Sequence, residues 1–153
     1  GGRKEIMQLV APLGSVYQAG TLSGNPVAMC AGITQLRYLQ AHPEVYQQIR
    51  GLSDRFRNGL KEIIQRYHAP CTVNGMESLS CLYFTSKPVT NYASAKQADT
   101  QQFRQYFHYM LDAGSYFGPS QFEAIFVSNA HTTQEIDKTL SDAEAYFAAQ
   151  EKK

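Results

Sequence analysis

Two short segments of this 153-residue chain hold side chains that could do chemistry. The first is Val16-Tyr17-Gln18-Ala19-Gly20-Thr21-Leu22-Ser23-Gly24-Asn25-Pro26. A loop of Gly, Thr and Ser that runs into a helix N-terminus can bind a phosphate, because backbone N–H groups and hydroxyls point outward and the helix dipole favours negative charge. It is neither a Gly-Lys-Ser/Thr P-loop nor a Gly-x-Gly-x-x-Gly fingerprint, and the same residues also read as a plain turn and an N-cap. The second segment is Pro119-Ser120-Gln121-Phe122-Glu123. Its carboxylate, beside an aromatic ring, either faces a pocket or is a surface Glu at the start of a strand. Metal chemistry has no support. The four histidines (His42, His68, His108, His131) are dispersed, and Cys30, Cys71 and Cys81 lack metal-type spacing. The cysteines read as buried or free thiols in a reducing compartment.

The elements that must position these groups follow from periodicity and punctuation. Residues 3–10 predict a short amphipathic helix stopped before Pro12. Asn25-Pro26 predicts a helix start, with Asn as N-cap and Pro at the first helical position, running to about Gln40 with Val27, Ile33, Leu36 and Leu39 inward. After His42-Pro43, the residues Val45, Ile49, Leu52, Phe56, Leu60, Ile63 and Tyr67 form one apolar stripe about six turns long. Residues 71–74 and 79–85 predict strands. A long helix is expected over 95–112, with Phe103, Phe107, Met110 and Leu111 facing in and Gly114 stopping it. Strands at 115–117 and 124–128 flank the loop bearing Glu123. Thr132-Thr133-Gln134-Glu135 is a capping-box pattern that opens a last helix to about Ala149, with Ile136, Leu140, Ala143 and Phe147 inward. This order predicts an α+β fold, a small antiparallel-type sheet of about three or four strands covered by helices.

Composition excludes several classes. With 43% hydrophobic and 18% charged residues the chain is ordinary globular material. A net charge of +1 gives no field to attract nucleic acid or an anionic membrane. No apolar run approaches the roughly 20 residues a membrane span needs. The basic group Arg50, Arg55, Arg57 and Lys61 reads as the solvated face of a helix.

Taken together, the weak local signals resemble one family. Tyr17-Gln18-Ala19-Gly20-Thr21-Leu22-Ser23-Gly24-Asn25-Pro26 is similar to the segment that follows the active lysine in glutamate-1-semialdehyde aminomutases, and wider class-III aminotransferases share its Thr-x-x-Gly-Asn-Pro core. Further matches are Glu5-Ile6-Met7 with Ala11-Pro12, and Asn91-Tyr92-Ala93-x-Ala95-Lys96-x-Ala98-Asp99-Thr100. Pro119-Ser120-Gln121-Phe122-Glu123-Ala124 with Val127-Ser128, Ala130-His131-Thr132 and Ile136-Asp137-Lys138-Thr139-Leu140 complete them. The resemblance implies the type-I pyridoxal-phosphate fold in a cytoplasmic homodimer. Residues 1–24 would then be the end of a cofactor-binding large domain, 25–42 a connecting helix and 43–153 a C-terminal small domain. It implies that Gly20 and Thr21 bind the cofactor phosphate of the neighbouring subunit. Tyr17 would lie near the cofactor, and Glu123 would be the active-site glutamate. The implied reaction converts glutamate-1-semialdehyde to 5-aminolevulinate in tetrapyrrole synthesis, with no nucleic-acid or membrane partner.

Ile125 and Glu77 depart from the family pattern, each standing where a glycine is expected. The cofactor-binding lysine is expected upstream of Gly1, and Lys4 is no substitute, so the parent protein is expected to be an enzyme and this piece alone inactive. Two other readings are a class-III aminotransferase for an ω-amino acid and a non-catalytic dimerisation or binding module.

Overall fold

The computed structural model describes residues 1–151 and divides into two compact units, Gly1–His42 and the chain from Pro43 onward. In the first unit, α1 is a single turn, Lys4–Met7, shorter than the periodicity predicts. The chain folds back at once: Ala11 N–H donates to Val16 O (2.9 Å) and Val16 N–H donates to Leu9 O (2.9 Å). Those bonds use backbone groups that a longer helix would have needed. The next helix, α2, spans Pro26–Ala41. Asn25 Oδ1 caps it by accepting from the amides of Val27 (3.0 Å) and Ala28 (3.1 Å). The expected inward face is not buried. Val27, Ile33 and Leu36 are exposed, and α2 buries no residue. One four-residue helix and a polar loop give the unit no second layer to cover it.

The second unit holds the core. Helix α3, Glu44–Arg66, lays the predicted stripe inward, with Val45, Leu52, Phe56, Leu60 and Ile63 buried. Strands β1 (Thr72–Met76) and β2 (Leu79–Tyr83) form an antiparallel hairpin in the register Met76↔Leu79 and Thr72↔Tyr83. Strand β3 (Ile125–Phe126) adds to β2 antiparallel, with Leu79↔Phe126 and Ser80↔Ile125, giving the order β1-β2-β3. The predicted strand at 115–117 is absent, and β3 is much shorter than 124–128. With only two residues of β3 paired to β2, the backbone on either side of it serves loops instead.

The helix predicted over 95–112 is two helices. Helix α4 is Tyr92–Ala95 and α5 is Thr100–Asp112. Asp99 divides them, because its carboxylate takes the amides of Gln101 (2.9 Å) and Gln102 (3.0 Å) as the N-cap of α5. Those amides, Gln102 first, hold the Asp99 carboxyl below its ordinary range. On α5, Tyr106 and Met110 are buried and Phe103 packs against the core, while Leu111 is exposed. Gly114, at φ +90°, closes the helix with its N–H on Leu111 O (2.9 Å), followed by Ser115 N–H on Met110 O (2.7 Å). Helix α6, Thr133–Glu151, opens with the predicted reciprocal cap, Thr132 N–H to Glu135 Oε2 (2.7 Å) and Glu135 N–H to Thr132 Oγ1 (3.3 Å).

The basic face of α3 is not simply solvated. Arg55 reaches α6 through a two-pronged pair with Asp137, at 2.6 and 2.9 Å. Arg57 is buried, and its Nη1 donates to Glu77 O (2.7 Å) and Leu79 O (3.0 Å), which pins the β1–β2 turn to α3. That turn explains why a glycine is expected at position 77: Glu77 sits at φ +51°. A side chain there costs about 1–2 kcal/mol, offset in part by the exposed pair of the Glu77 carboxylate with Arg50 (2.8 Å). Glu77→Gly is therefore expected to be more stable than Glu77→Ala by about 1 kcal/mol in chemical unfolding. Equal stabilities would remove the strain.

Tyr106 sits at the centre of an aromatic cluster, with ring centroids 5.8 Å from Phe84, 6.1 Å from Phe117, 5.2 Å from Tyr146 and 6.0 Å from Phe147. Its hydroxyl is buried without a hydrogen-bond partner. An unpaired buried hydroxyl costs about 1–3 kcal/mol, so Tyr106→Phe is expected to raise the unfolding midpoint. A fall of 1 kcal/mol or more would mean that the hydroxyl has a partner, such as an ordered water.

Candidate active site

The first unit brings Gly20 and Thr21 into one turn. Ser23 N–H donates to Gly20 O (3.0 Å) and Asn25 N–H to Leu22 O (3.1 Å), so the chain coils through residues 20–25 into the capped start of α2. Gly20 packs closely against Ser23, whose hydroxyl would have to rotate away from a Cβ placed there. The amides of Thr21 and Leu22 and the Thr21 hydroxyl make no hydrogen bond among the described residues, and Thr21 is exposed. Unpaired amides, a hydroxyl and a helix N-terminus form a donor set suited to a phosphate. Tyr17 stands on the same stretch, 82% exposed, with its ring unpacked.

The second unit places Glu123 at the mouth of a cleft of about 380 Å³. Phe56 of α3, Tyr116, Phe117, Phe126, Val127 and Ile136 of α6 make its apolar wall, and His131 and Thr139 add polar edges. The carboxylate is exposed and folds back toward Gly118. A Cβ at Gly118 would lie 2.9 Å from Glu123 Cβ and 3.0 Å from its Oε2, so only glycine allows this placement. Glu123 N–H donates to Ser120 O (3.0 Å), and Phe122 N–H donates to Ser120 Oγ (3.2 Å), which tightens the loop just before the carboxylate. Ile125, at the other expected glycine, lines the same cleft and pairs with Ser80.

His131 is oriented by Ser128, whose backbone N–H donates to Nδ1 (3.0 Å). In the neutral ring that leaves the proton on Nε2. His131 and Thr139 fall in family-like segments but carry no chemical role in the sequence reading; tertiary packing brings them into the same cleft as Glu123. Burial pushes the Cys71 thiol up to about 12, which disfavours its thiolate. Among the described residues no group of three His, Cys, Asp or Glu could hold a metal, and no helix is long and apolar enough to cross a membrane.

The sequence profile of aminotransferase class-III matches residues 1–143. The chain belongs to this family. Its curated relatives include glutamate-1-semialdehyde 2,1-aminomutase 2 of Lachnoclostridium phytofermentans, 54% identical over 98% of this chain and 35% of the relative. Glutamate-1-semialdehyde 2,1-aminomutase of Ruminiclostridium cellulolyticum is also 54% identical, over 94% of this chain and 33% of the relative. The enzyme of that name from Thermus thermophilus is 48% identical over 91% of this chain and 33% of the relative. The chain thus spans about a third of the length of these relatives.

Among solved structures, an omega-transaminase from Sphaerobacter thermophilus superposes with a TM-score of 0.72 at 22% identity, covering 97% of this class-III chain and 34% of the other. A beta-phenylalanine aminotransferase from Variovorax paradoxus gives 0.70 at 22% identity, covering 98% and 34%. Those likenesses show the fold, which in this class-III chain is the expected α+β arrangement with a three-stranded antiparallel sheet.

Proposed function

We propose that this class-III chain is the C-terminal part of a pyridoxal-phosphate-dependent aminomutase that converts glutamate-1-semialdehyde to 5-aminolevulinate. The observation that carries this reading is the 54% identity, over almost the whole chain, to relatives that bear the aminomutase name. The donor set at 20–25 supports the cofactor assignment, and the Glu123 cleft supports an amino-group substrate. Residues 1–24 are assigned to the end of the large domain, 25–42 to the connecting helix and the remainder to the small domain. The exposed apolar face of α2 supports a neighbour supplied by the rest of a homodimeric protein.

Bound pyridoxal phosphate supplies an electron sink for the carbon that loses a proton. Gly20 and Thr21 would hold the phosphate of the neighbouring subunit's cofactor through backbone N–H groups and a hydroxyl, which add donors without adding charge. Tyr17 would lie near that cofactor across the same subunit interface. Glu123 accepts a hydrogen bond from the substrate's ammonium group and keeps both carbons within reach while the amino group changes place. Phe56, Phe117 and Ile136 give the cleft an apolar wall on which the substrate's carbon chain can lie.

Thr21→Ala in the whole protein is expected to weaken cofactor retention about tenfold or more, since a hydrogen bond to a charged group is worth roughly 1.5–3 kcal/mol. Thr21→Ser, which keeps the hydroxyl, is expected to retain the cofactor as the parent does. Absorbance of bound cofactor after dialysis reads both. Equal retention in the alanine variant would take Thr21 out of the phosphate site. Conversion of glutamate-1-semialdehyde by the whole protein tests the reaction itself.

A further inference from the structure

We propose that the short helix α4 is a clamp that positions Glu123, with Tyr92 and Gln121 as positioning residues. The proposal rests on the reading of Glu123 as the carboxylate that meets substrate.

The loop 119–122 has no strand or helix of its own, yet it must hold a carboxylate at the cleft mouth. The loop runs beside α5, and two side-chain contacts tie it to α4. Gln121 is 3% exposed, and its Nε2 donates to Ala95 O at 3.5 Å. The ring of Phe122 lies 5.7 Å from that of Tyr92 at 55°, a tilted aromatic pair. The two residues immediately before Glu123 are thus held by the first and last residues of one helical turn.

That turn is itself unusually well fixed for four residues. Asn91 and Ser94 cap it reciprocally: Ser94 N–H donates to Asn91 Oδ1 (2.9 Å), and Asn91 N–H donates to Ser94 Oγ (3.1 Å). Ala95 and Ala98 are buried. Just beyond it, Asp99 N–H donates to Phe84 O (2.9 Å) at the end of β2, and just before it Asn74 of β1 donates through Nδ2 to Val89 O (2.7 Å). The sheet therefore holds α4, α4 holds the loop, and the loop holds Glu123. The stretch from Asn91 to Thr100, which has no catalytic side chain of its own in the proposed chemistry, acquires a role.

Hydrogen exchange of the Glu123 amide and turnover, both in the whole protein, test this. Tyr92 is 67% exposed, so Tyr92→Ala removes the ring with little threat to the core. Exchange at the Glu123 amide, which bonds Ser120 O, is expected to rise about three- to tenfold in Tyr92→Ala, the factor that one aromatic pair supplies. It is expected to stay at the parental value in Tyr92→Phe, which keeps the ring. Turnover is expected to fall by a similar factor in Tyr92→Ala and to be preserved in Tyr92→Phe. Added to Glu123→Gln, Tyr92→Ala should change turnover less than about twofold, because residues that act as one unit are non-additive. Unchanged exchange in Tyr92→Ala overturns the clamp. So does an equal loss of turnover with Glu or Gln at 123, which would make Tyr92 merely structural. If Glu123→Gln alone turns over at the parental rate, the substrate role of Glu123 fails, and the exchange measurement still judges the clamp.

Discussion

Glu123→Gln in the whole protein is expected to lower turnover about 100-fold while leaving cofactor retention and folding intact. The substitution keeps shape and removes charge, so it isolates the attraction between a carboxylate and the substrate's ammonium group. Folding should not suffer, because Glu123 is exposed and its carboxylate takes part in no ion pair or hydrogen bond among the described residues. The backbone bond that shapes the loop, Glu123 N–H to Ser120 O, is retained in the variant. Turnover at the parental rate would remove Glu123 from the chemistry. Ile125, two residues on and lining the same cleft in place of the expected glycine, would then be the first position to revert.

Phe56→Ala is expected to cost about 3–5 kcal/mol, the range for emptying a buried aromatic site. Phe56 is 2% exposed at the middle of the α3 stripe, and its ring lies 6.4 Å from Phe117. It also forms part of the cleft wall, so the cavity would open beside Glu123. Against a domain stability of roughly 5–15 kcal/mol, this single change removes a large share. Leu36→Ala, at a residue 68% exposed on α2, is the contrast, with an expected change within about 0.5 kcal/mol in this chain. Urea unfolding of the two variants side by side reads the difference. Comparable losses would mean that α2 has a buried face in solution.

The contrast between α2 and α3 also marks what the sequence makes legible. The seven-residue stripe along α3 and its C-cap is a local pattern with a local consequence: the structure buries five of its residues and partly buries Ile49 and Tyr67. On α2 the same kind of pattern gives the helix and its Asn25 cap correctly, but its apolar face stays uncovered, because burial needs a covering layer that residues 1–42 lack. The division at Asp99 is illegible for another reason. An Asp between two helical runs reads as a polar helix position until its carboxylate is seen on the amides of Gln101 and Gln102. Leu111 has the right spacing on α5 and still faces solvent, which no periodicity reveals.

The candidate site divides along the same line. Gly20, Thr21 and Glu123 stand in motifs that resemble one family and so were legible. The reason for a glycine before Glu123 was not, because Gly118 matters only through a side chain five residues away that folds back over it. His131 and Thr139 join the cleft by tertiary packing alone. Glu77 was visible as a departure, and its physical meaning, a left-handed φ in a hairpin turn, came only with the backbone.

The central claim is that this class-III chain serves an aminomutase and not an ordinary aminotransferase. The most direct measurement supplies the whole protein with glutamate-1-semialdehyde, with no added amino donor and no 2-oxo acid, and follows 5-aminolevulinate. The account predicts sustained conversion over many turnovers under those conditions, since the amino group lost from one carbon is regained at its neighbour. Product that forms only when an external amino donor and a 2-oxo acid are both supplied would contradict it.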